Sequence, residues 1–140
     1  SIGINKIYNQ KEFQRSLTVA LKYDHKIIVE EYIKGREIEC SVLGNTNPIA
    51  SLPGEIIPKD EFYSYADKCI NSDGAQLIIP AKLNKTQIKK IQAVALQAYK
   101  TLECSGLARV DMFLTSNNEV YLNEINTIPG FTNISMFPKL

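Results

Sequence analysis

Apolar residues first recur at Phe13, Leu17, Ala20 and Leu21, the three- and four-residue spacing of a helix face. Asn9, followed three residues later by Glu12, supplies a capping-box-like start, so a helix is predicted over about 10–23. The run KIIVEEYI (26–33) is rich in β-branched and aromatic side chains and predicts a strand that Gly35 breaks. EIECSVL (37–43) alternates like a second strand, Gly44-Asn45 is turn chemistry, and 49–52 suggests a further short strand. Between 53 and 82 the pattern lapses. Pro53, Gly54, Pro58, Gly74 and Pro80 punctuate this stretch, and Phe62, Tyr63 and Tyr65 cluster inside it. A loop of that length in a compact domain predicts a mobile lid or binding loop. Asn84 then opens a helix to about 103, with Ile88, Ile91, Val94, Ala95, Ala98, Tyr99 and Leu102 as its apolar stripe and Gly106 as its stop. Strands follow at about 107–114 and 119–125, joined by Thr115-Ser116-Asn117-Asn118; 126–140, with Pro129-Gly130 and Pro138, reads as irregular. The order predicts an α+β fold in which helices cover an antiparallel sheet.

Composition narrows the class. A chain of 140 residues fits one compact domain or part of a larger one, and can bury a core without disulfides or a structural metal. A formal net charge of +1 argues against nucleic acid held by a bulk electrostatic footprint, though not against a local basic pocket. No apolar run is long enough for a membrane helix, and no signal peptide opens the chain, so a membrane partner is not expected. Cys40, Cys69 and Cys104 lack CxxC spacing, and His25 stands alone, which argues against a zinc site and for a reducing cytoplasm. Ser-Ile-Gly at the start and Phe137-Pro138-Lys139-Leu140 at the end suggest a fragment of a longer protein.

The last two strands carry the chemistry. Arg109, Asp111 and Phe113 alternate onto one face; on the return strand Val120, Leu122, Glu124 and Asn126 do the same. A turn centred near 117 sets Asp111 opposite Glu124, and two facing carboxylates repel unless something neutralises them. Arg109 is one candidate and a divalent cation the other. Asp111, Glu124 and Asn126 offer only hard oxygen donors, as Mg²⁺ prefers; a solvated surface hairpin with an ion pair is the plain alternative. Glu30, Glu31, Tyr32, Ile33 and Glu37 form a second acidic cluster at a strand–turn–strand junction. There a carboxylate can accept from ribose hydroxyls and backbone groups can read an adenine edge, or the cluster is simply a solvated edge. Lys68, in the aromatic-rich loop, could close onto phosphates as a point charge, or be one more exposed lysine.

GLARVDMFL (106–114), VYLNEINTIPGFT (120–132) and SMFPKL (135–140) together resemble the C-terminal signature of D-alanine–D-alanine ligases. SLPGEIIPKDEFYSY (51–65) and VEEYIKGREIECSVLG (29–44) extend the resemblance over nearly the whole chain. It implies the ATP-grasp fold and a fragment of a multi-domain enzyme. Residues 1–43 would belong to the central ATP-binding subdomain and 44–140 to the C-terminal one, with 53–82 as its mobile loop. The reaction implied is ligation of two D-alanines for peptidoglycan, through a D-alanyl phosphate that the second amine attacks.

The same resemblance implies residue roles. Asp111, Glu124 and Asn126 would hold two Mg²⁺ ions (Mn²⁺ as a substitute) bridging the ATP phosphates. Arg109 would stabilise the acyl phosphate and the tetrahedral intermediate, with Gly130 and Ser135 also at catalytic positions. Glu30 would meet the adenine amino group, backbone groups of Glu31 and Ile33 the ring edge, Glu37 the ribose, Phe113 the adenine face and Lys68 the phosphates. Gly130, Ser135 and Met136 would hold the second D-alanine, and Ser1-Ile2-Gly3 would end a phosphate loop. Partners implied are ATP, D-alanine, a missing N-terminal half, and a second copy of the enzyme, since the family commonly dimerises.

Two departures from the pattern matter. The family's upstream lysines, first-substrate contacts and orienting glutamate lie outside these 140 residues, so the chain alone is not expected to make dipeptide. Cys69 stands where the family commonly has Tyr, and a thiol is a weak donor. That opens a shift of the second substrate toward D-lactate or D-serine, or a neutral local change. Another ATP-grasp carboxylate–amine ligase and a non-catalytic nucleotide-binding module are the remaining alternatives.

Overall fold

The computed structural model describes residues 3–58 and 75–140. In chain order these form α1 (Gln10–Ala20), β1 (Arg36–Leu43), β2 (Ile49–Ala50), β3 (Gly54–Pro58), β4 (Ala75–Ile78), α2 (Lys85–Thr101), β5 (Leu107–Leu114), β6 (Val120–Asn126) and α3 (Met136–Lys139). The strands make one six-stranded sheet in the order β4-β3-β1-β5-β6, with β2 paired to β1 beside this path. Every described pairing is antiparallel, so the α+β expectation holds.

One sheet face is the core. Ile38, Cys40 and Val42 of β1 pair in register with Met112, Val110 and Ala108 of β5. Against them α2 lays Ile91, Ala95, Ala98 and Tyr99, spaced four, three and one residues apart, one stripe of a helix. Asn84 accepts from the Gln87 amide while the Gln87 side chain accepts from the Asn84 amide, so a full capping box fixes where α2 starts. Burial of a side chain such as Ile91 contributes about 1.5–3 kcal/mol. The Tyr99 hydroxyl donates to the Gly44 carbonyl at 2.8 Å, so the buried ring also ties α2 to the turn after β1.

Cys40 is fully buried in this layer, beside Ser51. Burial pushes its thiol up to about 11, partly opposed by hydrogen bonds to Ser51. The folded state therefore disfavours the thiolate. This contribution to stability is full below pH 9 and is lost as pH rises through about 11. Pulse alkylation at pH 8 should leave Cys40 unmodified until the protein unfolds, while the half-buried Cys104 reacts first. Peptide mass mapping reads the order; early modification of Cys40 would show the core open.

Three expectations need correction. The stretch 26–33 is not a strand: it has no regular structure, and the described partners of β1 are β2, β3 and β5. Ile28, Val29 and Tyr32 are exposed, so β propensity there finds no pleated surface to pack on. The supposed loop 53–82 contains two paired strands, β3 and β4, flanking the undescribed 59–74. Pro58 hid the first; it is the last residue of β3, beyond the stretch Gly54–Ile56 that pairs with β1, so that side of the strand is an edge there. The tail, read as irregular, closes with the short helix α3. Element ends elsewhere fall within a few residues of expectation. Among the described residues no helix is long and apolar enough to cross a membrane.

Candidate active site

The other sheet face carries the polar residues. Register sets Glu39 of β1, Asp111 of β5 and Glu124 of β6 side by side in one row. The next row is Ser41, Arg109 and Asn126; on the other side lie Glu37, Phe113 and Tyr121. A β-bulge organises this face. Asp111 pairs with Glu124, but the next residue, Met112, pairs with Leu122, so Asn123 is the extra residue of β6. Glu124 and Asn126 therefore share the face of Asp111, while Leu122 and Val120 turn with Met112 and Leu114 toward the helix side. The expectation that Val120, Leu122, Glu124 and Asn126 share one face is corrected on this point; the facing of Asp111 and Glu124 stands.

Arg109 is the centre of the face. Its Nε donates to Asp111 Oδ1 at 2.7 Å and its Nη2 to Asp111 Oδ2 at 2.6 Å, a two-pronged charge-assisted pair. Glu39 Oε2 lies 3.0 Å from the same Nε. The bonds to Asp111 raise the Arg109 pKa above its ordinary value; burial opposes them, and the charges of Asp111, Glu39 and Glu124 add to the rise. The guanidinium is permanently charged. Three carboxylates around it leave an excess of two negative charges among these four side chains.

Glu39 is a residue the sequence reading missed. It is only 6% exposed because β1 is flanked by β3 on one side and β5 on the other. The signal was present: in EIECSVL the apolar residues Ile38, Cys40 and Val42 alternate with Glu37, Glu39 and Ser41. Only the pairing partner of β1 was lacking.

The tail folds over one end of this face. The Ser41 hydroxyl donates to the Phe137 carbonyl at 3.2 Å, and a Cβ added at Gly54 would lie 2.9 Å from Met136 Sδ and 3.0 Å from Leu140 Cδ2. Gly54 thus lets α3 sit close to β3. Met136 is buried, and Ser135 precedes it at the helix N-cap. Ser135 Oγ accepts from the Thr132 amide at 3.0 Å and lies 2.8 Å from Thr132 Oγ1; a Cβ at Gly130 would come within 2.8 Å of it. Gly130 and Ser135 are therefore in direct apposition. The Asn126 side-chain oxygen accepts from the Ile128 amide at 3.0 Å, which fixes its orientation at the end of β6.

Glu30 and Glu31 are exposed and lie elsewhere in the chain's path, lining a cavity of about 500 Å³ with Gly3, Lys6, Phe13 and Tyr32. Gly35 links this segment to the sheet: a Cβ there would stand 3.0 Å from the Leu114 carbonyl oxygen and 3.3 Å from Phe113 Cβ. Ile33 is half-buried nearby in sequence. Lys68, Cys69 and the aromatic cluster of the loop lie outside the described residues, as do Ser1 and Ile2.

Among the described residues no three His, Cys, Asp or Glu side chains are gathered closely enough to hold a metal by themselves. The donor chemistry nevertheless fits Mg²⁺. Asp111, Glu124 and Asn126 present hard oxygens on adjacent rows of one face that carries surplus negative charge.

The profile of the family described as "D-ala D-ala ligase C-terminus" matches residues 1–140, the whole chain. The chain belongs to this family. D-alanine–D-alanine ligase A of Salmonella typhimurium is 56% identical over all 140 residues, and the D-alanine–D-alanine ligase of Oceanobacillus iheyensis 57%; the chain spans 38% of each. Among solved structures, the D-alanine–D-alanine ligase of Coxiella burnetii superposes with a TM-score of 0.81 at 47% identity, over 95% of this chain and 34% of that one. The VanG D-Ala:D-Ser ligase of Enterococcus faecalis gives 0.85 at 38% identity, over 97% and 39%. The fold is accordingly that of the ATP-grasp ligases, of which this D-alanine–D-alanine ligase family segment is one part.

Proposed function

We propose that this segment is the ATP-, Mg²⁺- and second-substrate-binding portion of a cytoplasmic ligase that joins two D-alanines for peptidoglycan synthesis. The observation that carries this reading is the single polar face on which Arg109, Asp111, Glu124 and Asn126 meet in register. In the reaction, the carboxylate of the first D-alanine takes the γ-phosphoryl group of ATP, giving an acyl phosphate and ADP. The amine of the second then attacks the acyl carbon, and collapse of the tetrahedral intermediate releases phosphate and the dipeptide.

Such chemistry asks the protein for position and charge rather than covalent participation. Asp111, Glu124 and Asn126 would hold the two Mg²⁺ ions, whose contribution is to neutralise and align the phosphates. Arg109, permanently charged, faces the negative charge that develops on the acyl oxygen. The Gly130–Ser135 apposition, with Met136 behind it, would receive the second D-alanine. Glu30, Glu31, Ile33, Glu37 and Phe113 would receive the nucleoside and Lys68 the phosphates. The proposed division into 1–43 and 44–140 would leave β1 as the strand by which the first part joins the sheet of the second. A full-length homodimer completes the proposal, with the 140 residues alone inactive.

The test is ATP-derived phosphate release by the full-length protein, with and without D-alanine. Release that requires D-alanine, with a product of dipeptide mass, is expected. ATP binding without release would make this a binding module instead. D-serine and D-lactate in the same assay decide the acceptor, since a fold shared with both a D-Ala–D-Ala and a D-Ala:D-Ser ligase does not discriminate between them.

A further inference from the structure

The Arg109 Nε carries a single hydrogen, and Asp111 takes it at 2.7 Å. Glu39 Oε2 stands 3.0 Å from that same nitrogen, on the neighbouring strand. Two carboxylates thus flank one donor. Their settings differ: Asp111 sits beside the bulged junction with β6, where an exposed Glu124 faces it, whereas Glu39 rises from a central strand paired on both sides. On the function proposed above, Asp111 gives oxygen lone pairs to a cation, and a cation that draws on the oxygen facing Nε weakens that bond to Arg109. The released Nε–H then finds Glu39 within hydrogen-bond distance, with little movement of the guanidinium.

We infer that Glu39 is a positioning residue that keeps Arg109 aimed at the reacting centre after Asp111 turns to the cation. Arg109 exchanges one carboxylate for the other, and its place on the face is preserved. Without Glu39 the guanidinium would follow Asp111 or swing toward water, since Ser41 and Asn126 in its own row carry no charge and Glu124, on the proposed function, is engaged with the cation. Glu39 itself touches neither nucleotide nor amino acid in this account.

The test uses the full-length protein with the Arg109 Nε–H observed by ¹⁵N NMR, and nucleotide binding and turnover measured in parallel. In the unsubstituted protein the Nε–H should stay protected from solvent exchange both without ligand and with Mg–ATP. In Glu39→Gln, protection should persist without ligand, where Asp111 is the acceptor, and be lost with Mg–ATP. kcat should fall ~10–100-fold while the KM for ATP stays within about 3-fold, as for other residues that orient a catalytic group. Glu39→Asp, which keeps the charge on a shorter arm, should recover part of kcat. Loss of Mg–ATP binding in Glu39→Gln would make Glu39 a ligand and overturn the inference; so would turnover equal to the unsubstituted protein. If the variants do not fold, rapid exchange of the Nε–H on adding Mg–ATP to the unsubstituted protein overturns it by itself. Failure of the unsubstituted protein to bind Mg–ATP would instead remove the ligase reading, and this inference with it.

Discussion

Replacing Arg109 by Met is expected to destabilise the full-length protein by about 3 kcal/mol and to abolish D-alanine-dependent phosphate release. The stability loss follows from what remains. Glu39 is buried, Asp111 loses a two-pronged partner, and three carboxylates are left in one register row without the guanidinium between them. Breaking a buried pair by removing one member costs about 3–5 kcal/mol, because the other charge stays desolvated. The lower end applies here, since the Arg109 side chain retains 16% exposure. Arg109→Lys keeps the charge and loses the fork, so it should cost about 1 kcal/mol. Urea unfolding at neutral pH measures both. A second readout separates a cation site from an ordinary ion-pair network: Mg²⁺ should raise the unfolding midpoint of Arg109→Met more than that of the unsubstituted protein, because the cation replaces the missing positive charge. A loss under about 1 kcal/mol would mean the acids are better solvated than the geometry indicates.

How much of this was legible beforehand depends on the range of the signal. α2 was readable because cap, stripe and stop all lie within one stretch of chain and agree. The β5–β6 hairpin was readable because its partner is the next element, so turn position alone placed Asp111 opposite Glu124. The bulge at Asn123 was not, since one extra residue leaves no mark on composition; the face assignment of Val120 and Leu122 therefore inverted. KIIVEEYI misled for the opposite reason: its side chains suit a strand, but a strand also needs a neighbour, and the described sheet offers none.

Glu39 shows the same limit at the site. Its parity with Glu37 and Ser41 was visible, yet its importance depends on β1 lying between β3 and β5, and the partner that sets Glu39 beside Asp111, β5, is more than sixty residues away in the chain. The residues whose roles came through the family resemblance, Glu30, Glu31, Ile33, Gly130, Ser135 and Met136, carry no distinguishing pattern of their own. Gly130 becomes interpretable only beside Ser135, whose hydroxyl occupies the space a Cβ would need.

Replacing Asp111 by Asn should separate activity from stability, which Arg109→Met cannot do. An Asn at this place still offers one oxygen to the Arg109 fork, so part of the present hydrogen bonding survives. It also takes one negative charge out of the Glu39–Asp111–Glu124 row, and the relief of like-charge repulsion offsets the weaker bond to Arg109. The unfolding free energy should accordingly move by no more than about 1 kcal/mol. Catalysis has no such compensation. A neutral amide neither balances the phosphates' charge nor draws Mg²⁺ as a carboxylate does, and loss of one such electrostatic contact costs about 10²–10³-fold in kcat. The full-length Asp111→Asn protein should therefore unfold at nearly the same urea concentration, bind Mg–ATP more weakly by calorimetry, and release phosphate at least about a hundredfold more slowly. Retention of more than about a tenth of the rate would place the cation elsewhere on the molecule and leave the paired acids as a structural feature of the hairpin.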